Sequence, residues 1–217
     1  ITIGYFQSID EETDRTECEK NNIQIIRRIT GGGAVFHATE LTYSVIIPLD
    51  NALLPQSAND SYSVILTPVI ETLRAHAIDA VHAPINDILV AGKKISGSAQ
   101  IRRQGVLLQH GTIILDMDIH MAFACLTVPK EKNESHGITD PKTRVTTIRE
   151  IIGDNALSQS FNIALRTGIT GKFAEKFDAE FHRSDFTHNE WANAREIDCD
   201  LFSNPRWNQM RENKAGL

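Results

Sequence analysis

The protein has 217 residues and a mass of 24.2 kDa, which predicts one large domain or one domain with a small appendage. Its formal net charge is −6, from 22 basic and 28 acidic residues, and this balance argues against nucleic acid as a partner. The sequence shows no apolar run of the roughly 18 residues that a membrane helix needs, so no membrane partner is expected. Its cysteines (Cys18, Cys125 and Cys199) lie far apart, which predicts a reducing, cytoplasmic setting without disulfides.

The hydrophobic pattern of the first half predicts strands before helices. The sequence opens on a strand-like run at 1–6, and we expect further residues upstream of it. Apolar residues at helical spacing predict a helix over 62–77, capped by Asn59 or Ser61. Pro68 predicts a kink or a late start in that helix. The other predicted elements in this half are a surface helix over 10–22, strands over 23–26 and 42–48, and a loop over 49–59.

The clearest strand signal lies between residues 85 and 116, where a tight turn and a second turn separate apolar runs. Alternation predicts that Lys94, Ser96, Ser98 and Gln100 lie on one face of a strand, with residues 95, 97, 99 and 101 on the other. Such a polar row is typical of a sheet that lines a pocket, and also of any half-exposed sheet.

Helices dominate the pattern after residue 116. Strands followed by helices, with antiparallel turns, predict an α+β fold whose sheet is covered by helices. We expect a catalytic domain over 1–177 and a C-terminal helical tail of the same domain over 178–217. The predicted helices cover 116–126, 146–152, 155–177 and 187–201, and a polar loop covers 130–143.

Residues 27–37 read RRITGGGAVFH and lie between two predicted strands. Three consecutive glycines remove every Cβ from this turn, so backbone N–H groups can point at a phosphate or a carboxylate. Arg28 and Thr30 add a cation and a hydroxyl beside them. The alternative is a flexible hairpin turn with two solvated arginines.

An acyl-adenylate, a mixed anhydride of a carboxylic acid and AMP, suits the polar residues of the segment at 27–37 together with those of the strand region at 85–116. We expect the glycine N–H groups and Arg28 to hold its phosphate. Lys94 would lie between carbonyl and phosphate oxygens and neutralise the charge that develops as the phosphate leaves. Val35, Phe36, Ile88 and Val106 are candidates for an apolar slot around an aliphatic acyl chain.

Several short motifs follow one another along the chain: RRITGGGAVFH at 27–37, ND at 86–87, GKKISGSA at 92–99 and HGT at 110–112, with GIT at 137–139 and RVT at 144–146 after them. With these motifs the sequence resembles the lipoate–protein ligases of the biotin/lipoate ligase superfamily. The resemblance implies the catalytic-domain type of that superfamily, a mixed, mostly antiparallel sheet with helices. It also implies activation of lipoate with ATP and Mg²⁺ to lipoyl-AMP. The lipoyl group then passes to a lysine of a lipoyl domain, on a 2-oxoacid dehydrogenase subunit or the glycine cleavage H protein.

The resemblance assigns the essential, catalytic lysine of the family to Lys94. Neither His37 nor His110 would be assigned to a site without the resemblance, because a lone strand histidine is more often structural. The residues that would hold the magnesium ion are not assigned from the sequence. The predicted adenylate-binding residues are Arg28, Thr30, Gly31, Gly32, Gly33, Ala34, Val35, His37, Asn86, Asp87, Ser96, Gly97 and His110.

Two departures keep a second enzyme class open. HATEL at 37–41 replaces the family's HDxGN, and ELTYS at 40–44 with LQHGT at 108–112 resembles the related octanoyltransferases, which carry the acyl chain on a cysteine. In those relatives the cysteine lies in the segment that leads into the lysine block, and residues 80–91 contain none. Cys125 lies in an apolar helical pattern typical of a buried thiol. The missing cysteine favours a ligase.

Two further alternatives concern the partners. The chain resembles proteins that bind a lipoyl domain, and a non-catalytic member of this kind would bind it without modifying it. Relatives of the ligase type usually carry a small accessory domain, sometimes as a separate polypeptide. Too few residues follow position 177 for such a domain, so a separate accessory protein is a possible further partner.

Overall fold

A computed structural model describes residues 1–127 and 141–209 of the chain. The described residues of Ile1–His37, His120–Thr139 and His182–Leu217 form one compact unit, and those of Ala38–Ile119 and Asp140–Phe181 form a second. Each unit is built from separated stretches of sequence. The predicted domain boundaries, 1–177 and 178–217, stay a prediction, and most of the predicted loop over 130–143 lies outside the described residues.

Short strands and helices alternate along the first part of the chain, and longer elements follow. The strands are β1 (Thr2–Ile3), β2 (Ile26–Arg27), β3 (Thr39–Pro48), β4 (Ala80–Ala83), β5 (Asp87–Val90), β6 (Lys93–Arg103) and β7 (Val106–Asp116). The helices are α1 (Ile9–Glu12), α2 (Arg15–Lys20), α3 (Ala58–Ala75), α4 (Ile119–Cys125), α5 (Ile148–Ile152), α6 (Gln159–Phe177), α7 (His188–Ile197) and α8 (Pro205–Gln209).

The predicted surface helix over 10–22 is two helices, because Asp14 begins a new one. Its side chain accepts a hydrogen bond from the Glu17 backbone N–H, as an N-cap residue does. The residue before it, Thr13, has an extended backbone and ends α1. The strand expected over 1–6 is likewise shorter, since β1 pairs in parallel with β2 over two residues only.

Helix α3 begins earlier than predicted because Ser57 caps it. The Ser57 hydroxyl accepts a hydrogen bond from the Asp60 backbone N–H at 3.1 Å. The predicted caps, Asn59 and Ser61, therefore lie inside the helix, and the late start expected from Pro68 is wrong. The helix continues through this proline, whose side chain is buried, because packing of the apolar face outweighs the missing N–H.

The second unit contains a five-stranded sheet in the order β3-β7-β6-β5-β4, with every neighbouring pair antiparallel. The predicted α+β fold with a mostly antiparallel sheet is confirmed. The sheet, α3 and α6 contribute to one hydrophobic core. Its members include Leu41, Ile47, Ile65, Leu66, Val69, Leu73, Ile88, Ile95, Leu107, Ile113, Leu115, Leu165, Ile169 and Phe173.

A β-bulge at Ile95 breaks the alternation that the sequence predicts for β6. In the ladder between β5 and β6, Leu89 pairs with Lys94 and Ile88 pairs with Ser96. Ile95 has no pairing partner in β5, so β6 has one more residue than β5 between these two pairs. A bulge of this kind shifts the parity of the strand by one residue.

The shift places Lys94 and Ser96 on opposite faces of the sheet. Gly97 pairs with Asp87, whose carboxylate contacts the Lys94 ammonium group, so these three residues share one face. Ser96 pairs with the buried Ile88 and lies on the core side. The predicted polar row of Lys94 with the residues at 96, 98 and 100 is therefore wrong, because the bulge separates the lysine from the others.

Among residues 1–127 and 141–209, no helix has both the length and the apolar character that crossing a membrane would require.

Candidate active site

The glycine turn, defined here as Gly31–Gly33, is held by Arg28 in the first unit. Arg28 Nη2 donates hydrogen bonds to the carbonyl oxygens of Gly31 at 2.7 Å and Gly33 at 2.8 Å, and Nε donates to Thr30 Oγ1 at 3.2 Å. Gly32 has a backbone φ of 95°, which residues other than glycine rarely adopt. Arg28 thus fixes the shape of the turn, and its contact with a phosphate stays a prediction.

The residues after the turn are anchored to β1. Val35 and Thr2 exchange backbone hydrogen bonds of 2.8 and 2.9 Å. The Thr2 hydroxyl lies 2.8 Å from His37 Nε2, and the Thr2 carbonyl oxygen accepts from Arg28 Nη1 at 3.2 Å. The first unit therefore joins the predicted residues Arg28, Val35 and His37 through one threonine.

Two residues outside the predicted set also touch this segment. A Cβ built on Gly4 would lie 1.9 Å from the Gly32 carbonyl oxygen, so the two backbones approach as closely as a glycine allows. The Glu12 carboxylate accepts a hydrogen bond from the Ala34 N–H at 2.9 Å. A glycine inside a strand-like run is a sequence signal for close backbone approach. For Glu12, one acid in a charged stretch, the sequence carries no such signal.

Arg27 is buried to 1% exposure, so the alternative of a turn with two solvated arginines is wrong. Its guanidinium donates through Nε to the carbonyl oxygen of Trp207 at 3.0 Å and through Nη2 to that of Asn208 at 3.1 Å. Nη1 donates to further carbonyl oxygens between 2.6 and 3.0 Å away, those of Gly4, Tyr5 and Gln7. Arg27 thus ties the C-terminal segment to the segment that follows β1.

In the second unit, Lys94 and Asp87 form an ion pair on the face of the sheet that the bulge selects. Lys94 Nζ lies 2.7 Å from Asp87 Oδ1, with side chains 40% and 31% exposed. This contact is an ion pair rather than a directional hydrogen bond, and it compensates for the burial of Oδ1. The pair holds an ammonium group at the surface, where it can meet an anionic ligand.

Gly97 leaves room for the lysine. A Cβ on Gly97 would lie 2.8 Å from Lys94 Cε and 2.9 Å from Nζ, closer than real Cβ contacts. The Asn86 side chain donates through Nδ2 to the Ser98 backbone carbonyl oxygen. The backbone carbonyl oxygen of Asn86 accepts a hydrogen bond from the Ser98 N–H at 3.0 Å. This reciprocal pair extends the β5–β6 ladder and fixes the backbone just before Asp87.

His110 lies on the same face as Lys94. It pairs with Ala99, which is two residues from Gly97 along β6 and so points the same way. The second unit therefore brings the predicted residues Asp87, Lys94, Gly97 and His110 to one face of one sheet. Their contact with an adenylate stays a prediction.

Ser96 is the exception among the predicted residues. Its side chain is 0% exposed, and its hydroxyl has no hydrogen-bond partner among the described atoms. Because it points to the core side of the sheet, this placement argues against the predicted contact with the adenylate.

The core side of β6 also carries a buried polar network. The Tyr43 hydroxyl lies 2.9 Å from Ser98 Oγ and accepts a hydrogen bond from Gln109 Nε2 at 3.2 Å. Gln100 Nε2 donates to Gln109 Oε1 at 2.6 Å, and Ser61 Oγ of α3 donates to Gln100 Oε1 at 3.0 Å. Burial raises the pKa of Tyr43, so its hydroxyl stays protonated and can donate. The network connects the sheet to the start of α3.

All three cysteines belong to the first unit. Cys18 and Cys125 are buried and Cys199 is exposed. Burial, followed by the neighbouring Cys125 thiol, raises the pKa of Cys18 to about 11. The unit that carries Lys94 has no cysteine in its sequence. Among the described residues, no group of three histidine, cysteine or acidic side chains is arranged to hold a metal ion.

Comparison with known proteins places these features in one family. The model of the family described as "Lipoyl protein ligase A/B catalytic domain" matches residues 1–170. The octanoyltransferase LipM of Clostridioides difficile is 33% identical over 232 residues, covering 97% of this chain and 83% of the relative. The lipoate–protein ligase LplJ of Bacillus subtilis is 32% identical over 218 residues, covering all of this chain and 63% of the relative.

Solved structures agree with the sequence relatives. A bi-partite lipoate protein ligase studied with its E2 lipoyl domain from Thermoplasma acidophilum has a TM-score of 0.82 at 29% identity, covering 100% of this chain and 82% of that one. A lipoate–protein ligase A bound with ATP has a TM-score of 0.81 at 27% identity, and the match covers 97% of this chain and 82% of that one. The resemblance stated from the sequence is confirmed: the chain belongs to the lipoyl protein ligase A/B family and contains its catalytic domain.

Proposed function

We propose that the protein is an ATP-dependent lipoate–protein ligase, which activates lipoate to lipoyl-AMP and transfers the lipoyl group to a lysine of a lipoyl domain. The observation that carries this proposal is the Lys94 ammonium group, held 2.7 Å from Asp87 in a unit without a cysteine. A fixed cation suits a reaction that moves negative charge on phosphate and carbonyl oxygens. It does not supply the nucleophile that a thioester mechanism needs.

In the first step, a carboxylate oxygen of lipoate attacks the α-phosphorus of ATP. The new O–P bond forms as the bond to pyrophosphate breaks. In the second step, the acceptor lysine amine attacks the acyl carbonyl and AMP leaves, while the amine loses a proton. Lys94 stabilises the negative charge on the oxygens in both steps, as a positioned ammonium group does. The glycine turn offers backbone N–H groups for the phosphate.

Asp87 is the residue present that fits a magnesium ion carried by the nucleotide. Magnesium is usually bound by one or two carboxylates together with substrate phosphates. Because Oδ1 of Asp87 contacts the Lys94 ammonium group at 2.7 Å, this carboxylate would be shared between the lysine and the ion. The ion would neutralise charge on the departing pyrophosphate.

Octanoyl transfer is the second candidate, because the similar proteins include octanoyltransferases LipM at 28–33% identity. It requires a thiolate that accepts the acyl chain. Cys18 and Cys125 are both buried, and a thiol whose pKa is about 11, as for Cys18, is almost entirely protonated at neutral pH. The burial of these two thiols favours the ligase, and the exposed Cys199 is the thiol that a thioester mechanism would still have available.

The proposed acceptor is a lipoyl domain of a 2-oxoacid dehydrogenase subunit or the glycine cleavage H protein. The ligase from Thermoplasma acidophilum was studied with an E2 lipoyl domain, which supports this class of partner. The same ligase is described as bi-partite, which supports a separate accessory protein as a further partner.

Lipoate-dependent exchange of labelled pyrophosphate into ATP tests the proposal directly. We expect exchange by the wild-type protein, its loss in Lys94→Met, and wild-type exchange in Lys93→Met, a matched change at the adjacent exposed lysine. Thermal unfolding should be similar in all three, because a partly exposed lysine contributes little to stability. If transfer from octanoyl-acyl carrier protein proceeds without ATP and is lost in Cys125→Ser, the octanoyltransferase is correct instead.

A further inference from the structure

Glu12 is a buried carboxylate that the proposed reaction does not use. It ends α1 in the first unit and is only 7% exposed. Burying a carboxylate costs free energy unless hydrogen bonds compensate for the lost water. Its Oε2 accepts the Ala34 N–H at 2.9 Å, a normal hydrogen-bond length. The side chain therefore has a defined partner, the first amide after the glycine turn.

The backbone of Glu12 completes the last turn of α1 and joins one further segment of the same unit. Its carbonyl oxygen accepts the Thr127 N–H at 2.9 Å, and its N–H donates to the Ser8 carbonyl oxygen at 3.1 Å. Next to it, Thr13 forms a bridge with Leu126. Because the end of α1 is bonded to the segment at 126–127, its last side chain is an anchored, buried group rather than a mobile surface acid.

The glycine turn is thus held by three contacts that differ in chemistry. Arg28 binds the carbonyl oxygens of the turn. The Gly4 backbone lies against the Gly32 peptide. Glu12 binds the N–H of Ala34. Glycine residues lose more conformational freedom on folding than any others, so a turn with three of them needs such restraints to keep one shape.

We propose that Glu12 is a positioning residue that fixes the glycine turn in the conformation that binds the phosphate of the adenylate. This inference rests on the proposed function. The Ala34 N–H is used by Glu12, so the predicted contact of Ala34 with the adenylate does not use this donor. Glu12 acts through the backbone and does not touch the reacting atoms. Its negative charge is neither required nor favourable beside an anion, whereas its acceptor oxygen is required.

The test compares Glu12→Gln, which keeps an acceptor oxygen, with Glu12→Ala, which removes it. Glu11→Ala, at the exposed neighbouring position, is the matched control. The first measurement is the KM for ATP and the kcat in lipoate-dependent pyrophosphate exchange, at a temperature where every variant is folded. The second is hydrogen exchange by mass spectrometry of a peptide that spans 30–36, which reports the Ala34 amide without any ligand.

We expect Glu12→Ala to raise the KM for ATP at least about tenfold with kcat changed less than about threefold, because uniform binding is what is lost. We expect Glu12→Gln and Glu11→Ala to remain within about threefold of the wild type in both constants. In Glu12→Ala the Ala34 amide should exchange at least about tenfold faster, and in Glu12→Gln it should stay protected.

A merely structural role predicts a lower unfolding temperature for Glu12→Ala with an unchanged KM, and that result would overturn the proposal. Equal losses in Glu12→Gln and Glu12→Ala would also overturn it, since the charge would then matter. If the wild-type protein shows no lipoate-dependent exchange, the proposed function fails. Faster exchange of the Ala34 amide in Glu12→Ala alone would in that case still support the positioning contact.

Discussion

Replacing Gly97 with alanine is expected to displace the Lys94 ammonium group without weakening the fold. The new Cβ would lie 2.8 Å from Lys94 Cε and 2.9 Å from Nζ. Non-bonded carbon contacts are normally about 3.5–4.0 Å, so the end of the lysine must move by about 1 Å. The lysine moves rather than the strand, because these atoms are the far end of a flexible side chain.

The expected loss of activity follows from that displacement. A misplacement of about 1 Å at a reacting centre costs on the order of 10²-fold in rate. The movement also disturbs the 2.7 Å contact between Lys94 Nζ and Asp87 Oδ1. We therefore expect the kcat of lipoate-dependent pyrophosphate exchange to fall about 100-fold in Gly97→Ala.

The expected change in stability is small. Glycine in a strand interior costs about 0.5–1 kcal/mol relative to alanine, so the substitution gains that amount. The ion pair that it disturbs is partly exposed and contributes at most about 1 kcal/mol. The two effects nearly cancel, and the free energy of unfolding in urea should stay within about 1 kcal/mol of the wild type.

Gly171→Ala is the matched control, since a Cβ at this position of α6 meets nothing within 4 Å. It should keep wild-type activity and raise the free energy of unfolding by up to about 1 kcal/mol, as replacement of a helical glycine does. Wild-type kcat in Gly97→Ala would refute the reasoning that the bulge and the glycine together position Lys94.

Three further predictions test other contacts. Ser96→Ala removes a buried hydroxyl without a partner among the described atoms, so it should raise the free energy of unfolding by about 1 kcal/mol. Ser61→Ala breaks the hydrogen bond to Gln100, so it should lower the free energy of unfolding by about 1 kcal/mol. Urea unfolding measures both, and equal signs would contradict this reading of the two serines. Arg27→Lys should lower the free energy of unfolding by about 3 kcal/mol, since one ammonium group cannot reach the carbonyl oxygens that the guanidinium binds, and Arg15→Lys is the exposed control. A cost below about 0.5 kcal/mol would show that those bonds contribute little. Native protein at pH 8 should be alkylated by iodoacetamide at the exposed Cys199 alone, because Cys18 is buried with a pKa of about 11 and Cys125 is buried; rapid labelling of Cys125, measured by peptide mass, would reopen the thioester mechanism.

Several features of the fold and of the site could be predicted from residues close in the sequence. Strand and helix order followed from hydrophobic period and turn residues, except for the edge strand β4 (Ala80–Ala83), which no predicted element covers. The antiparallel sheet followed from the short turns at 92–93 and 102–105. The family followed from the motif blocks at 27–37 and 92–99, which the matched family model confirms. These are local signals, and a single sequence carries them.

Element boundaries were less predictable, because caps and breaks depend on individual hydrogen bonds. Ser57 begins α3 before the predicted residue, and Asp14 divides the predicted helix over 10–22. In both cases a side-chain oxygen binds a backbone N–H, and several nearby polar residues had equal claim to that role from sequence alone.

The sequence by itself determined that a glycine turn, a lysine block and an antiparallel sheet belong to a lipoyl protein ligase A/B domain, because these depend on residue types at fixed local spacing. Only the tertiary structure decided which face Lys94 occupies, since a one-residue bulge at Ile95 reverses the alternation and only the register with β5 reveals it. The tertiary structure also decided the burial of Ser96. It brings the Gly4 backbone against the Gly32 peptide and lets the Ala34 N–H donate to Glu12, although these residues are distant in the sequence. Contacts of this kind arise when the chain packs, so they are properties of the folded molecule.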